Sequence, residues 1–378
     1  MQSAKSPAMY IFFLLLPILY LISNGYLFIR LIKAIKKQNI FIKIAASLLF
    51  WMAAASFFLA IGLRNENIPD TLSGIMFRTG SLWVIFIIYT ALASIIFDIT
   101  RLIYKRFKCT TIHAAIIATA LLCYGHYNYR NPQIVPIDIT VDKPMEGCLR
   151  IAVISDLHLG YGTGKSTLKH FVDIINSQNP DIILIAGDLI DNSVKPVQNT
   201  ALHEELSQLQ APMGIYMAPG NHEYISGYEE CQEFLKQTPI KMLCDSIVNL
   251  PYGVQLILRD DTFNKKRLKL KKLLALADKN RPTILIDHNP REVEKKNDLG
   301  VDIQISGHTH HGQVWPGNYI TDYIYEQSHG YRKWSHSHVW VSSGLSLWGP
   351  PIRLGTKGDI AVITLRGTTP PLKEDKNN

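Results

Sequence analysis

The sequence predicts two structural regimes in one chain: a transmembrane bundle of four helices over residues 1–130, then an α/β domain over residues 149–367. Three observations lead there. Hydrophobic residues make up 47% and charged residues 19%, whereas about a quarter of the residues of a soluble domain are charged. The basic excess is confined to the first third, with 13 Lys/Arg against Glu66, Asp70 and Asp98 in residues 1–130. Beyond residue 131, short β-branched runs alternate with amphipathic stretches, the pattern of helices covering a sheet.

These observations also exclude classes of protein. A disordered chain needs low hydrophobicity and high charge, and this one has neither. The net charge of +8 belongs wholly to the N-terminal third, because residues 131–378 carry 26 Lys/Arg against 28 acids. The basic pI therefore gives no support for nucleic acid as a partner.

Four stretches lack Asp, Glu, Lys and Arg for long enough to span a bilayer: about 9–29, 44–63, 79–97 and 109–129. Crossing about 30 Å of hydrocarbon takes roughly 20 helical residues. The fourth stretch, with His113, His126 and several Thr, is the least apolar. The first is too long for a signal-peptide core, and no small-x-small cleavage pattern follows it. Arg30, Lys33, Lys36, Lys37 and Lys43 follow span one, and Arg101, Lys105, Arg106 and Lys108 follow span three. Loops rich in Lys and Arg stay in the cytoplasm, so four crossings would place the C-terminal domain outside it. His113 and His126 are the only ionisable groups within these stretches, too few for a channel or pump. The bundle reads as an anchor, with the lipid bilayer as partner.

Residues 131–148, with Pro132, Pro136 and Pro144, read as a linker. Strands are expected over 149–154, 181–186, 214–217, 254–258, 283–286, 303–306, 339–342 and 360–365. Helices are expected over 166–177, 200–209, 228–236 and 265–277, and residues 368–378 read as a disordered tail. The five cysteines contain no CxxC pair, which removes a zinc knuckle or thioredoxin-type site. Buried free thiols are preferred to a Cys231–Cys244 disulfide.

Functional residues of α/β folds sit just past the C-terminal ends of strands. Five such positions here carry metal-binding residue types: Asp156-Leu157-His158, Gly187-Asp188-Leu189-Ile190-Asp191, Gly220-Asn221-His222-Glu223, Asp287-His288 and Gly307-His308-Thr309-His310. One alone would read as a turn or a cap. Five in succession form a coherent set of carboxylate, imidazole and amide ligands suited to Mn, Fe, Zn or Mg.

This series resembles the calcineurin-like metallophosphoesterases and covers nearly all of residues 149–365. With the apolar spans, the chain resembles the branch described as transmembrane proteins with a metallophosphoesterase domain. Ser342-Ser343-Gly344-Leu345 and Trp348-Gly349-Pro350-Pro351 are similar to that branch too. The resemblance implies an α/β/β/α sandwich holding two divalent ions. Asp156, His158, Asp188 and His310 would hold the first, and Asp188, Asn221, His288 and His308 the second. It further implies that His222 is catalytic, protonating the leaving oxygen or steadying phosphoryl charge. Asp191 would orient His222 and keep it protonated; its alternative reading is a helix cap.

Other signals carry less. His311 stands where the related branch more often has Gly, and reads as a bulky neighbour beside His310, with an extra imidazole touching substrate as the alternative. Arg259-Asp260-Asp261 has two readings, a group facing the substrate or a solvated charged turn, and is left out of the site. The run 160–166 lacks the first glycine of a phosphate-binding loop, with Leu159 in its place. Residues 265–272 read as a solvated basic helix face, and His329, His336 and His338 as loop histidines, with a loop overhanging the metals as the alternative.

The sequence thus points to a membrane-anchored, dinuclear-metal hydrolase of phosphate mono- or diesters, acting on envelope or lipid-linked substrates. Two alternatives stand beside it. Related phosphoesterases cleave the pyrophosphate of UDP-2,3-diacylglucosamine in lipid A biosynthesis. A catalytically inactive membrane-tethered binding module would be expected to lack some ligands, and none is missing.

Overall fold

The structure is a computed structural model that describes residues 7–64, 66, 68–297 and 299–368. The chain divides into two compact units, Met1–Tyr129 with Gly349–Leu354, and Arg130–Trp348 with Gly355–Asn378.

The first unit is built on helices α1 (Pro7–Ala34), α2 (Ile40–Gly62), α3 (Asp70–Ile103) and α4 (Thr111–Arg130, its last residue in the second unit). Asn39 caps α2, its side chain accepting the Ile42 N–H. Among the described residues three helices, not four, are long and apolar enough to cross a membrane: Leu15–Ala34, Ile40–Gly62 and Asp70–Ile103. The expected fourth span is helical, but His113, His126, Asn128 and Arg130 dilute its apolar character. Polar ties join the helices. Arg30 Nη1 lies 2.5 Å from Asp98 Oδ2, and Arg30 Nε donates to Thr111 Oγ1 at 2.6 Å. Asp98, one residue beyond the expected third span, therefore lies within α3 and meets an ionic partner on α1.

The second unit contains two six-stranded sheets. The strands are β1 (Gln133–Pro144), β2 (Cys148–Ile154), β3 (Ile182–Ile185), β4 (Ile215–Met217), β5 (Ile240–Met242), β6 (Ser246–Asn249), β7 (Gln255–Leu258), β8 (Thr283–Ile286), β9 (Ile303–Ser306), β10 (Gly330–Trp334), β11 (Ser337–Val341) and β12 (Asp359–Thr368). One sheet runs β1-β12-β2-β3-β4-β5 and the other β10-β11-β9-β8-β7-β6. The central strands of each are parallel: β2 to β5 in the first, β7, β8, β9 and β11 in the second. Parallel strands buried on both faces read as continuous apolar runs. That is why Ile182–Ile185 and Thr283–Ile286 were legible.

Alternation along β2 shows how the layers stack. Ile151 and Val153 point into a core shared with Leu256, Ile284 and Ile305 of the other sheet. Ala152 and Ile154 point the other way, onto Leu168, Phe171 and Ile175 of α5 (Lys165–Asn176). The outer face of the second sheet packs Ile257 and Leu285 against Leu270 and Leu273. The result is the expected α/β/β/α sandwich.

Several expectations are corrected. The 131–148 linker contains β1, paired in parallel with β12 from Gln133↔Asp359 onward; its alternating burial is that of an edge strand. Thr368, assigned to the tail, ends β12, and the rest of the tail lies outside the described residues. Around 200–209 lie two short helices, α6 (Lys195–Asn199) and α7 (Leu202–Leu206). Next come α8 (Asn221–Ser226) and α9 (Tyr228–Leu235). The helix expected over 265–277 shrinks to α10 (Leu270–Leu274). Upstream of it, side chains capture the backbone: Asn264 accepts the Lys266 N–H and Asp245 the Leu268 N–H. Helices α11 (Val293–Asn297) and α12 (Gly317–Ile324) complete the unit. All five cysteines are free thiols.

Candidate metal centre and active site

The five sequence clusters converge at the C-terminal ends of β2, β3, β4, β8 and β9. Ligand atoms of Asp156, His158 and His310 lie within 4.8 Å of one another, as do those of Asp188, His288 and His308. Asp188 links the two groups, with Oδ2 3.7 Å from His158 Nε2 and 3.2 Å from His288 Nε2. His158 Nε2 and His310 Nε2 face each other at 3.1 Å, 3.7 and 3.4 Å from Asp156 Oδ1. Asn221 opens α8, and its Oδ1 is buried with no hydrogen-bond partner.

The local backbone is unusual where these side chains start. Asp156, His158, Asp188, His308 and His310 all have positive φ, between 43° and 74°. Such left-handed conformations cost roughly 1–3 kcal/mol each and persist where the surroundings enforce them. Glycines allow the strand ends to crowd together. A Cβ on Gly220 would overlap Asp188 Oδ1, and one on Gly307 would overlap Ser155 Oγ and Asp156 Oδ2. The glycine in each Gly-Asp, Gly-Asn and Gly-His pair is thus a requirement of close approach.

The arrangement suits a pair of divalent cations. His288 Nδ1 donates to the Ala186 carbonyl at 2.5 Å, which fixes the tautomer and leaves the Nε2 lone pair, on the Asp188 side, as a candidate metal ligand. That Nε2 is buried and makes no hydrogen bond of good geometry. With Asn221 Oδ1 it forms a pair of buried polar atoms whose need a cation would meet. Protonation shows the same demand for positive charge. Burial alone would depress His158, but Asp156, Asp191 and Asp188 outweigh it and push it up to about 10. His288 is likewise raised, against burial, by the Asp188 carboxylate. Burial and then the His288 charge push His308 down to about 4. Asp188 is held well below the usual carboxylate range, against burial, chiefly by His288 and His222.

His222 stands beside this cluster. Its Nδ1 donates to the Asp191 carbonyl at 2.5 Å and lies 3.4 Å from Asp191 Oδ1. The same carboxylate oxygen lies 3.4 Å from His158 Nδ1. Asp191 therefore faces two histidines, and its hydrogen bond to His222 runs through the main chain.

Two features escaped sequence reasoning. Glu223 is fully buried and accepts the N–H groups of Gly220 (2.7 Å), Asp188 (2.9 Å), Leu189 (2.8 Å) and Ile190 (3.3 Å). Its place in Gly220-Asn221-His222-Glu223 was the only available signal. Arg259, Asp260 and Asp261 are buried, correcting the solvated-turn reading. Arg259 Nη1 and Lys296 Nζ lie 2.7 and 2.9 Å from Asp287 Oδ2. The pairing links residues far apart in sequence.

Comparison with known proteins agrees with this geometry. The profile of the calcineurin-like phosphoesterases matches residues 149–312. An uncharacterized metallophosphoesterase of Helicobacter pylori is 32% identical over 256 residues, 65% of this chain and 68% of that one. The chain belongs to the calcineurin-like metallophosphoesterase family. A further uncharacterized family member, from Campylobacter jejuni, is 27% identical over 377 residues, 94% of this chain and 98% of that one. A zebrafish transmembrane protein with metallophosphoesterase domain is 31% identical over 275 residues, 68% of this chain and 62% of that one. The protein is thus a metal-dependent phosphoesterase. The lipid A alternative finds no support among these relatives.

Proposed function

We propose that the chain hydrolyses phosphate mono- or diesters of lipid-linked substrates, anchored by three membrane crossings. The observation that carries the reading is the gathering of Asp156, His158 and His310 into one group and of Asp188, His288 and His308 into another, with Asn221 Oδ1 and His288 Nε2 buried without hydrogen-bond partners. Asp156, His158, Asp188 and His310 would hold one cation, and Asp188, Asn221, His288 and His308 the other. Two divalent ions so held would supply Lewis-acid polarisation of the phosphoryl group and activation of water near neutral pH.

The chain's own residues do the remaining work. His222, with Nδ1 committed to the Asp191 carbonyl, has Nε2 to offer a proton to the leaving oxygen. Asp191 holds His222 and His158 in register. Glu223 fixes the loops that carry Asp188 and Asn221. Three crossings with the basic loops inside would bring the domain to the cytoplasmic side, where a lipid-linked ester at the membrane surface is within reach.

The test uses the full chain purified in detergent, supplied with Mn²⁺, Mg²⁺ or Zn²⁺. Hydrolysis of p-nitrophenyl phosphate or bis-p-nitrophenyl phosphate is expected, and Asp188→Asn is expected to abolish it. Full activity in that variant would sink the proposal.

A further inference from the structure

We propose a third metal site, formed by His311, Asp322 and His329, that takes one borderline divalent cation such as Zn²⁺ or Co²⁺. One ligand-type atom from each residue lies within 4.8 Å of the other two. Three segments supply them: the 3-10 turn His310–Gly312, helix α12, and the loop leading into β10. His311 Nε2 lies 3.5 Å from Asp322 Oδ1. The His311 and His329 rings stack with centroids 3.4 Å apart and planes 15° apart.

The surrounding structure presents these groups. His311 has φ +46°, a conformation that a residue with a Cβ adopts only when it is enforced. Thr309 Oγ1 accepts the His311 N–H at 3.2 Å and donates to the Ser328 carbonyl at 2.5 Å. The Ser328 hydroxyl bonds the Asp322 carboxylate and lies 3.2 Å from His329 Nδ1. The Ser328 hydroxyl thus orients the Asp322 and His329 side chains, as partners of metal ligands characteristically do, while Thr309 holds the His311 main chain.

The donor set selects the cation. Two imidazoles and one carboxylate without thiolate suit Zn²⁺ or Co²⁺ rather than Ca²⁺. Three protein ligands leave a position open for water or a phosphate oxygen. With metal–ligand bonds of about 2.0–2.1 Å, tetrahedral donors stand about 3.4 Å apart. His311 Nε2 and Asp322 Oδ1, 3.5 Å apart, already stand at about that separation, and binding would require the stacked rings to turn so that each lone pair aims at the ion. Asp322 and His329 are exposed enough to make that movement. Because His311 follows His310 directly, the site neighbours the dinuclear cluster while sharing none of its ligands.

The experiment counts metal per chain in the detergent-purified full-length protein, stripped with chelator and re-equilibrated with Zn²⁺ or Co²⁺. His329→Phe keeps a ring to stack on His311 and removes the donor; Asp322→Asn removes the carboxylate charge. Each variant is expected to hold one ion fewer than the parent, and His329→Phe to lose one component of the Co²⁺ absorption. Equal metal content in parent and variants overturns the proposal. The count is repeated in an Asp188→Asn background. There a one-ion difference isolates this site even if the dinuclear reading fails.

Discussion

The Glu223 carboxylate accepts the backbone N–H of Asp188 at 2.9 Å, so the residue facing both metal groups is positioned by a side chain 35 positions further on. Glutamine at 223 would present an NH₂ group to backbone donors now served by two carboxylate oxygens. Hydrogen bonds to charged groups contribute about 1.5–3 kcal/mol, and outer partners of metal ligands typically tune affinity by about 10–100-fold. Glu223→Gln should therefore lower the thermal midpoint and weaken metal binding by that factor. Parent-like values in both measurements would remove Glu223 from the site.

His222 is expected to matter in proportion to how badly the leaving group needs a proton. A general acid contributes about 10²–10⁴-fold. His222→Asn should lose about that much with an alkyl phosphate and much less with p-nitrophenyl phosphate, whose leaving group departs as an anion. Equal losses on both substrates would assign His222 to phosphoryl binding instead.

Asp287 pairs with the buried Arg259 and Lys296 and with the half-buried Arg267. Removing one partner of a buried pair costs about 3–5 kcal/mol because the other charges stay buried, and Asp287→Asn should destabilise the domain by that order in urea unfolding. Burial would raise this carboxyl, but Lys296, then Arg259 and Arg267, hold it at about 2. The folded value lies below the unfolded one, so the contribution is complete above about pH 4 and is lost as pH falls toward 2. Acid unfolding in that window should be flattened in the variant.

Orientation can be read with fusions placed after Leu365. Three crossings predict a bright cytoplasm-dependent fluorescent reporter and an inactive phosphatase reporter. The reverse pattern would show that α4 crosses as well, and would move the search to substrates outside the cytoplasm.

The candidate ligands of the centre could be read directly from the sequence. Asp156, His158, Asp188, Asn221, His288, His308 and His310 were legible because each follows a strand buried on both faces, and such strands are continuous apolar runs. The sequence by itself determined the helical N-terminal unit for a related reason, since long uncharged stretches have few other uses. Tertiary structure decided what depends on partners distant in the chain. β1 was hidden because an edge strand paired with β12 shows only a half-buried, proline-bearing pattern. Helix α4 needed all its polar side chains weighed together before it fell short of a span. The charges at Arg259–Asp261 look solvated until Asp287 and Lys296 are brought beside them. His311 and His329, 18 positions apart, have no periodic signal at all. Their stacking exists only because the turn after β9 and the loop after α12 fold onto one place.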